Sequence, residues 1–352
     1  MPFRSIAASP WPEADLAFRQ DPRWLGSDGI GSVTIGDANI WLFGDTFVGG
    51  PNPTDRTGAS MISNSVAVQH GAALAHDSLE FHWRNGPAAV FERPGEPGWL
   101  WPGGTLFTDN TLYVFCMKVV TTRPELSMLE AWEAEGSLGF FEVVGTSIAV
   151  VADPQQPPSS WDPDYFDLRA PDGYFVGSAN VYDKGLVYSF GWRGLPTRRE
   201  AILARWSLAE SFSGKVEWFE GSGWTSDPLD AASLFEGVAT EYTIHRAVDF
   251  AGLLDDAGPA MSFVHLQAGP IGTNRLELRA APELWGPWTE PLAVDNPAAP
   301  TAPGTFAYTA RAHPQVRTNG VAVSFCTIGS GAQQTIESEE LYYPRFLRLS
   351  TI

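Results

Sequence analysis

The chain has 352 residues, 44% of them hydrophobic, and its 41 acidic and 22 basic side chains give a net charge of −19. That charge repels phosphate backbones and anionic lipid surfaces, so we expect neither nucleic acid nor a membrane as a partner. No apolar run reaches the roughly 18 residues that span a bilayer, and residues 1–8 are too short for a signal peptide. We therefore expect a cytoplasmic protein for the sequence as given, with its oligomeric state left open.

The composition also favours one fold class. The 35 glycines, 28 prolines and 14 tryptophans indicate frequent turns between short aromatic-rich segments, which is typical of an all-β protein. Cys116 and Cys326 lie in apolar strand-like runs, so we expect buried thiols and no disulfide framework. The spacing of a structural zinc site is absent, and we expect no metal or cofactor.

In chain order, one unit recurs five times: an extended run, a turn, a second apolar run and a third strand. The units begin near residues 28, 101, 175, 241 and 311. A β-sandwich would not repeat such a unit, so the sequence predicts a single five-bladed β-propeller over 1–352. The run 341–352 is expected to pair near the N-terminal blade and close the ring. Residues 124–135 have helical spacing and predict a short helical insertion in the second blade.

Two aspartates distinguish the first blade. Asp28 precedes the turn near Asp37 by nine residues and Asp45 follows it by eight, so a hairpin places both carboxylates opposite one another at one end. Cross-strand neighbours have β-carbons about 4.5–5.5 Å apart, and a retaining glycosidase needs its carboxyl groups about 5–5.5 Å apart. The pair predicts one acid/base and one nucleophile, in either order. Either aspartate alone is more often a turn cap.

The entrances to the other strands supply further candidates. Trp101 is a candidate stacking platform for a sugar ring, Asn64 a group that orients Asp45, and Glu241 a rival for one catalytic role. Arg311 has donors for a sugar hydroxyl or carboxylate. The full set of expected binding residues is Asn64, Trp101, Asn180, Glu241, His245, Arg311 and His313. Each of these alone is more often a satisfied loop or core group.

The stretch Trp24–Val66 resembles a known propeller family. Its segments Ser27-Asp-Gly29, Ile40-Trp-Leu-Phe-Gly-Asp-Thr-Phe47 and Asn64-Ser-Val66 are similar to the opening of endo-D-arabinanases of glycoside hydrolase family 183, formerly domains of unknown function. Other five-bladed arabinanases and fructosidases are more distantly similar. The motif match covers the first blade, and elsewhere only the blade pattern agrees.

The resemblance implies hydrolysis of a furanosidic bond with retention, by Asp28 and Asp45. The arabinanases and fructosidases carry a catalytic Glu in the third blade, where Ser178-Ala-Asn180 has none, which leaves Asp28/Asp45 or Asp45/Glu241 as the pair. We expect a glycoside hydrolase with an arabinofuranose-like carbohydrate substrate. The alternatives are a non-catalytic carbohydrate-binding propeller and a protein-interaction scaffold.

Overall fold

The computed structural model describes residues 2–49, 56–71, 73–75, 77–136, 139–195, 198–208, 215–255 and 258–352. The described chain is all-β. Its first twelve strands are β1 (Ile6–Pro10), β2 (Trp24–Ser27), β3 (Gly31–Ile35), β4 (Ala38–Phe43), β5 (Thr46–Val48), β6 (Ser60–Ile62), β7 (Ser65–His70), β8 (Leu79–His82), β9 (Trp99–Thr108), β10 (Thr111–Thr121), β11 (Phe141–Val151) and β12 (Asp164–Leu168).

The second half of the chain continues the same pattern of antiparallel strands. These are β13 (Tyr174–Asp183), β14 (Leu186–Leu195), β15 (Arg198–Ser207), β16 (Glu217–Phe219), β17 (Trp224–Thr225), β18 (Tyr242–Arg246), β19 (Phe263–Ala268), β20 (Arg275–Ala281), β21 (Leu292–Asp295), β22 (Thr305–Ala312), β23 (Val321–Gly329) and β24 (Arg345–Thr351). In the described ranges, 3₁₀ turns cover Pro158–Ser160, Pro228–Asp230 and Ala247–Leu253.

The strands form five large sheets and one small sheet. In sheet order the large ones are β3-β4-β7-β8, β9-β10-β11-β12, β13-β14-β15-β16-β17, β18-β19-β20-β21 and β22-β23-β24-β1. The small sheet, β2-β5-β6, extends the first hairpin, where the sequence predicted only a strand end. The final strand, β24, pairs with β1, so strands from the two ends of the sequence lie side by side in the fifth large sheet.

Apolar cores between the sheets link the five large sheets in a cycle. Each sheet packs its face on the next sheet in chain order, and the fifth packs on the first. Residues from consecutive sheets that share one core are, in order, Leu42 with Val114, Ile148 with Ile202, Phe190 with Phe263, Leu278 with Val323, and Trp41 with Phe346. The first strands of neighbouring sheets also contact each other along β3, β9, β13, β18 and β22.

Local sequence explains the hairpin turns. The Asp109-Asn110 turn has both residues at positive φ, 50° and 58°, and the Lys184-Gly185 turn has φ values of 50° and 83°. Two consecutive residues at positive φ make the tight hairpin turn that matches the right-handed twist of flanking strands. Asp, Asn and Gly tolerate that conformation, which is why these dipeptides predict the hairpins.

Three short helices accompany the sheets: α1 (Pro12–Ala17), α2 (Met128–Glu135) and α3 (Ala332–Glu337). The helix expected within 124–135 begins only at Met128. Ser127 forms a capping box with Glu130, because each side chain accepts a hydrogen bond from the backbone amide of the other. None of the helices in the described ranges is long and apolar enough to cross a membrane.

Candidate active site

The first hairpin places Asp28 and Asp45 opposite one another. The antiparallel register of β3 and β4 continues unchanged into that of β2 and β5, and the two aspartates occupy facing positions between these pairs of strands. The amide of Asp28 donates to the carbonyl of Asp45 at 3.4 Å, and the amide of Gly44 donates to the carbonyl of Asp28 at 2.9 Å. The sequence spacing about the turn predicts this opposition.

Asp28 is held by two phenols. The hydroxyl of Tyr308 donates to Asp28 Oδ2 at 2.7 Å, and the neighbouring phenol of Tyr342 also favours the ionised carboxylate. Burial, and secondly the charge of Glu241, raise the pKa of Asp28 to about 7 despite these donors. The other carboxylate oxygen lies against Gly44, where a β-carbon would be only 2.5 Å from Asp28 Oδ1. The Asp28 side chain is therefore closely confined, and it titrates near neutral pH.

Asp45 is more deeply enclosed, with 4% of its surface exposed. The indole nitrogen of Trp101, from β9 in the second sheet, donates to Asp45 Oδ1 at 2.7 Å. Burial, and secondly the charge of Asp28, raise the pKa of Asp45 well above its usual range, while the Trp101 bond lowers it. The ring of Trp101 packs edge-on against Phe141 with centroids 4.5 Å apart. This packing fixes the direction of the donor.

Glu241 is a third buried carboxylate, and it forms an ion pair with Arg311. Arg311 Nη2 lies 3.1 Å from Glu241 Oε1, and Arg311 Nη1 donates to the carbonyl of Gly103 at 3.0 Å. Burial raises the pKa of Glu241, and the neighbouring guanidinium of Arg311 opposes that rise. Glu241 Oε1 lies 3.1 Å from where a β-carbon of Gly29 would be, so this carboxylate adjoins the backbone next to Asp28.

A bulge in β22 brings two of these partners to one side of the strand. Tyr308 pairs with Cys326 and Arg311 pairs with Ser324, so the register shifts by one residue between the two pairs. Residues three apart in a regular strand point to opposite faces, and one extra residue restores a common face. Thr309, inside the bulge, has a φ of 52°, a strained value for a β-branched residue. The bulge therefore lets Tyr308 reach Asp28 while Arg311 reaches Glu241.

Asn64 is occupied by backbone groups. Its amide nitrogen donates to the carbonyls of Phe91 at 2.8 Å and Leu100 at 3.0 Å, and its side-chain oxygen accepts from the amide of Phe91 at 2.8 Å. Leu100 directly precedes Trp101 in β9. Asn64 thus anchors the strand that carries Trp101, the donor to Asp45, and it affects the site only through that strand.

Both candidate histidines are engaged in the core. His313 Nδ1 lies 2.5 Å from the hydroxyl of Ser32 and Nε2 lies 2.7 Å from that of Ser324. His245 Nε2 lies 3.2 Å from the carbonyl of Ala312. Burial lowers the pKa of His313 well below its usual value and that of His245 to about 4. These neutral rings join the fifth sheet to its neighbours, a placement that favours a structural role over sugar binding.

Asn180 is a better candidate for a contact with a ligand than the two histidines. Its side-chain oxygen accepts from the hydroxyl of Ser189 at 2.5 Å. Among the described residues its amide nitrogen is buried and has no hydrogen-bond partner. That nitrogen lies 2.9 Å from where a β-carbon of Gly104 would be, at the register shift in the middle of β9.

Three residues that act on the carboxylates were not predicted from the sequence: Tyr308, Tyr342 and Arg199. Arg199 donates to the hydroxyl of Thr240 at 2.6 Å and lies over the ring of Trp192, and its charge lowers the pKa of Glu241. The only sequence signal for Tyr308 is its closeness to Arg311 in β22. Tyr342 lies in the loop before β24 and gives no periodic signal.

Clustered carboxylates are also the usual ligands of hard metal ions. No set of three or more His, Cys, Asp or Glu side chains within the described ranges is arranged to hold a metal ion. Asp28, Asp45 and Glu241 instead receive hydrogen bonds from phenol, indole and guanidinium groups, respectively. The site is thus a group of carboxylates with raised pKa values, held by organic donors.

Comparison with known proteins identifies relatives in sequence and in fold. Residues 14–351 match the sequence profile described as "Domain of unknown function (DUF5005)". A "putative hydrolase" from Bacteroides ovatus ATCC 8483 superposes with a TM-score of 0.74 at 15% identity, over 98% of this chain and 90% of that one. The α-L-arabinofuranosidase PaAbf62A from Podospora anserina, in complex with cellotriose, superposes with a TM-score of 0.51 at 9% identity, over 99% and 98%. No curated protein sequence matches.

Proposed function

The chain belongs to a family of domains of unknown function, DUF5005, and we propose that it is a glycoside hydrolase that cleaves furanosidic, arabinofuranose-like linkages. The observation that carries the proposal is the facing pair Asp28 and Asp45, two carboxyl groups with raised pKa values on adjacent strands. Two such groups flanking a scissile bond are the usual machinery of glycoside hydrolysis. The substrate is a polysaccharide or oligosaccharide.

The architecture supports this proposal through the fold. We propose that the five large sheets are the blades of one five-bladed propeller, since they pack in a cycle and the fifth packs on the first. The similarity to the arabinofuranosidase of Podospora anserina supports a furanose substrate as a matter of fold. The motif resemblance to endo-D-arabinanases in the first sheet points the same way.

The proposed mechanism is retaining. Side chains that face each other on neighbouring antiparallel strands have β-carbons about 4.5–5.5 Å apart. That spacing suits the roughly 5–5.5 Å between the carboxyl groups of retaining enzymes, whereas inverting enzymes need about 6.5–9.5 Å to admit a water molecule. The facing positions of Asp28 and Asp45 therefore support a covalent intermediate over a single displacement by a water molecule.

The environments of the two aspartates support distinct roles. Two carboxylates this close cannot both ionise easily, so one holds the proton. Asp28 accepts a hydrogen bond from Tyr308 and has the phenol of Tyr342 as a neighbour, and both favour its charge, while Asp45 is more enclosed and accepts one hydrogen bond from Trp101. We assign Asp28 as the nucleophile and Asp45 as the acid/base.

In the first step the Asp28 carboxylate bonds to the anomeric carbon while the glycosidic C–O bond breaks, and Asp45 gives its proton to the leaving oxygen. In the second step water attacks the anomeric carbon and the Asp28 ester bond breaks. Asp45, now ionised, takes the proton of that water, which restores both side chains.

Glu241 is the competing member of the pair. Its salt bridge to Arg311 favours the ionised form, so it is a poorer proton donor than Asp45. We propose that Glu241 and Arg311 bind sugar hydroxyls, with Asn180 supplying a free amide donor. Trp101 remains a candidate for stacking against the sugar.

The test is Asp45→Asn assayed for release of reducing ends from furanose-containing polysaccharides. Loss of a general acid costs about 10²–10⁴-fold in rate. The matched control is Asp37→Asn, an exposed aspartate at the turn of the same hairpin, which should leave the rate unchanged. Unchanged turnover in Asp45→Asn overturns the assignment, and glycan binding without any product release across the substrates identifies a binding protein instead.

Asp28→Ala with added azide separates the nucleophile from the acid. If Asp28 is the nucleophile, azide attacks the anomeric carbon in its place and gives a glycosyl azide of inverted configuration. If Glu241 is the nucleophile instead, Glu241→Ala gives that product and Asp28→Ala does not.

A further inference from the structure

Arg56 is a buried arginine whose hydrogen-bond partners among the described residues are main-chain carbonyls. It is 5% exposed and precedes β6. Its guanidinium donates to the carbonyls of four residues at distances of 2.5–2.8 Å: Leu25, Thr335, Ser338 and Leu341. Burial lowers its pKa to about 10. Burying a cation without a carboxylate at hydrogen-bonding distance is costly, which indicates that these four contacts matter.

The four carbonyls belong to two segments that meet beside the carboxylates. Leu25 is in β2, three residues before Asp28, and the other three lie in α3 and the loop that follows it. Tyr342 is the next residue after Leu341. The two segments are in very close contact there, since a β-carbon on Gly26 would be 2.1 Å from the carbonyl oxygen of Tyr342.

Tyr342 has an unfavourable backbone conformation. Its φ is 63°, which is rare for a large aromatic residue and persists only where the surroundings enforce it. Its ring packs against Phe47 at 5.3 Å and against Trp132 of α2 at 5.8 Å. In this conformation its phenol is a neighbour of Asp28 and lowers the pKa of that carboxyl.

We propose that Arg56 is a positioning residue of the carboxylate site: its four hydrogen bonds tie the loop before Tyr342 to β2 and so hold the Tyr342 phenol on Asp28. The inference rests on the proposed function for its catalytic meaning and on geometry alone for its contacts. Arg56 acts through Tyr342, because the side chains that shift the pKa of Asp28 are Glu241, Tyr308 and Tyr342. Asp45 and Cys326 also lie within range of the Asp28 charge, which raises their own pKa values.

A positioning role predicts a titration effect that a purely structural role does not. Tyr342→Phe removes a donor to the ionised Asp28, so the pKa of Asp28 should rise by about one unit. Arg56→Lys should raise it in the same direction, since lysine cannot hold four carbonyls in one plane. In the double variant the shift should equal that of Tyr342→Phe alone.

The measurement is the carboxyl ¹³C shift of Asp28 against pH, in protein labelled at aspartate, with the pH profile of kcat/KM beside it. Arg279→Lys is the matched control, a buried arginine that donates to the carbonyls of Thr289 and Glu236 and should leave Asp28 unchanged. An unshifted Asp28 in Arg56→Lys, or additive shifts in the double variant, overturns the proposal.

Arg56→Gln provides a second variant should the lysine form not fold, and the same shift is expected of it. If neither variant folds while Tyr342→Phe does, Arg56 is a folding residue and the positioning role is rejected. The ¹³C titration needs no substrate. A protein that shows the shifts but hydrolyses no glycan therefore refutes the proposed function and retains this inference.

Discussion

The indole nitrogen of Trp101 donates a 2.7 Å hydrogen bond to Asp45 Oδ1, and this bond joins the second sheet to the first at the candidate site. Asn64 supports this hydrogen bond indirectly, because its amide nitrogen donates to the carbonyl of Leu100, the residue before Trp101. The acid of the proposed pair is thus oriented by a residue from a different sheet.

Trp101→Phe keeps an aromatic ring against Phe141 and removes only the donor. Since the Trp101 bond lowers the pKa of Asp45, its loss should raise that pKa, and the alkaline limb of kcat/KM should move to higher pH. The rate should fall about tenfold, the usual cost of a hydrogen bond to a charged group. Trp99→Phe is the control, because the indole nitrogen of Trp99 has no hydrogen-bond partner among the described residues. Equal profiles for both variants would contradict the role of Trp101.

Gly44→Ala tests the confinement of Asp28. The new methyl would be 2.5 Å from Asp28 Oδ1, so the carboxylate must move. We expect at least a hundredfold loss of kcat/KM, because displacement by about 1 Å can cost that much. Gly252→Ala is the control, since no atom lies within 4 Å of its new methyl. Full activity in Gly44→Ala would show that the position of Asp28 is not critical.

Arg311→Met should unfold far more easily than the wild type. It leaves the buried carboxylate of Glu241 without its ion-pair partner, and such a loss costs about 3–5 kcal/mol. Adding Glu241→Gln should recover part of that loss. The free energy of unfolding in urea measures both effects. Arg246→Met, which breaks the exposed pair with Asp183, should cost less than about 1 kcal/mol; a similar cost for the two arginines would contradict the prediction.

The stability of the protein should depend on the charge of Asp28. In the folded protein the pKa of Asp28 is raised to about 7 from an ordinary value of 3.8. The stability that its protonated form contributes is therefore complete below about pH 4 and is lost as the pH rises to 7. Asp28→Asn avoids this loss. Its melting temperature relative to the wild type should rise between pH 4 and 7, by about 2 °C or more. Calorimetry at pH 4.5 and 8 checks this, and a constant difference would argue against a raised pKa.

The opposition of Asp28 and Asp45 follows from sequence because register is counted from a turn. Side chains on one antiparallel hairpin stay in phase unless a bulge intervenes, and β3 and β4 have none. The hairpins at Asp109-Asn110 and Lys184-Gly185 could also be predicted from the sequence, because the backbone preferences of these turn residues determine where the chain reverses.

The remaining contacts depend on features that periodicity does not encode. Tyr308 reaches Asp28 because of the bulge at Thr309, and a regular strand would turn it away from the side that Arg311 occupies. Tyr342 reaches it from a loop held by Arg56. His245 and His313 are polar side chains of the kind found in binding sites, yet their ring nitrogens form hydrogen bonds between sheets. Long-range packing decides all of these.

The pairing of β1 with β24 has a consequence for synthesis of the protein. Residues 6–10 leave the ribosome first among the strands, yet their hydrogen-bonding partner is made last. At typical elongation rates the N-terminal strand waits on the order of half a minute for that partner. During this interval the faces of Trp41 and Ala67 that later meet Phe346 remain uncovered. Until residues 345–351 are made, the nascent chain is therefore open to proteases and to self-association at the first sheet, and a chaperone that shields this sheet would act before that point.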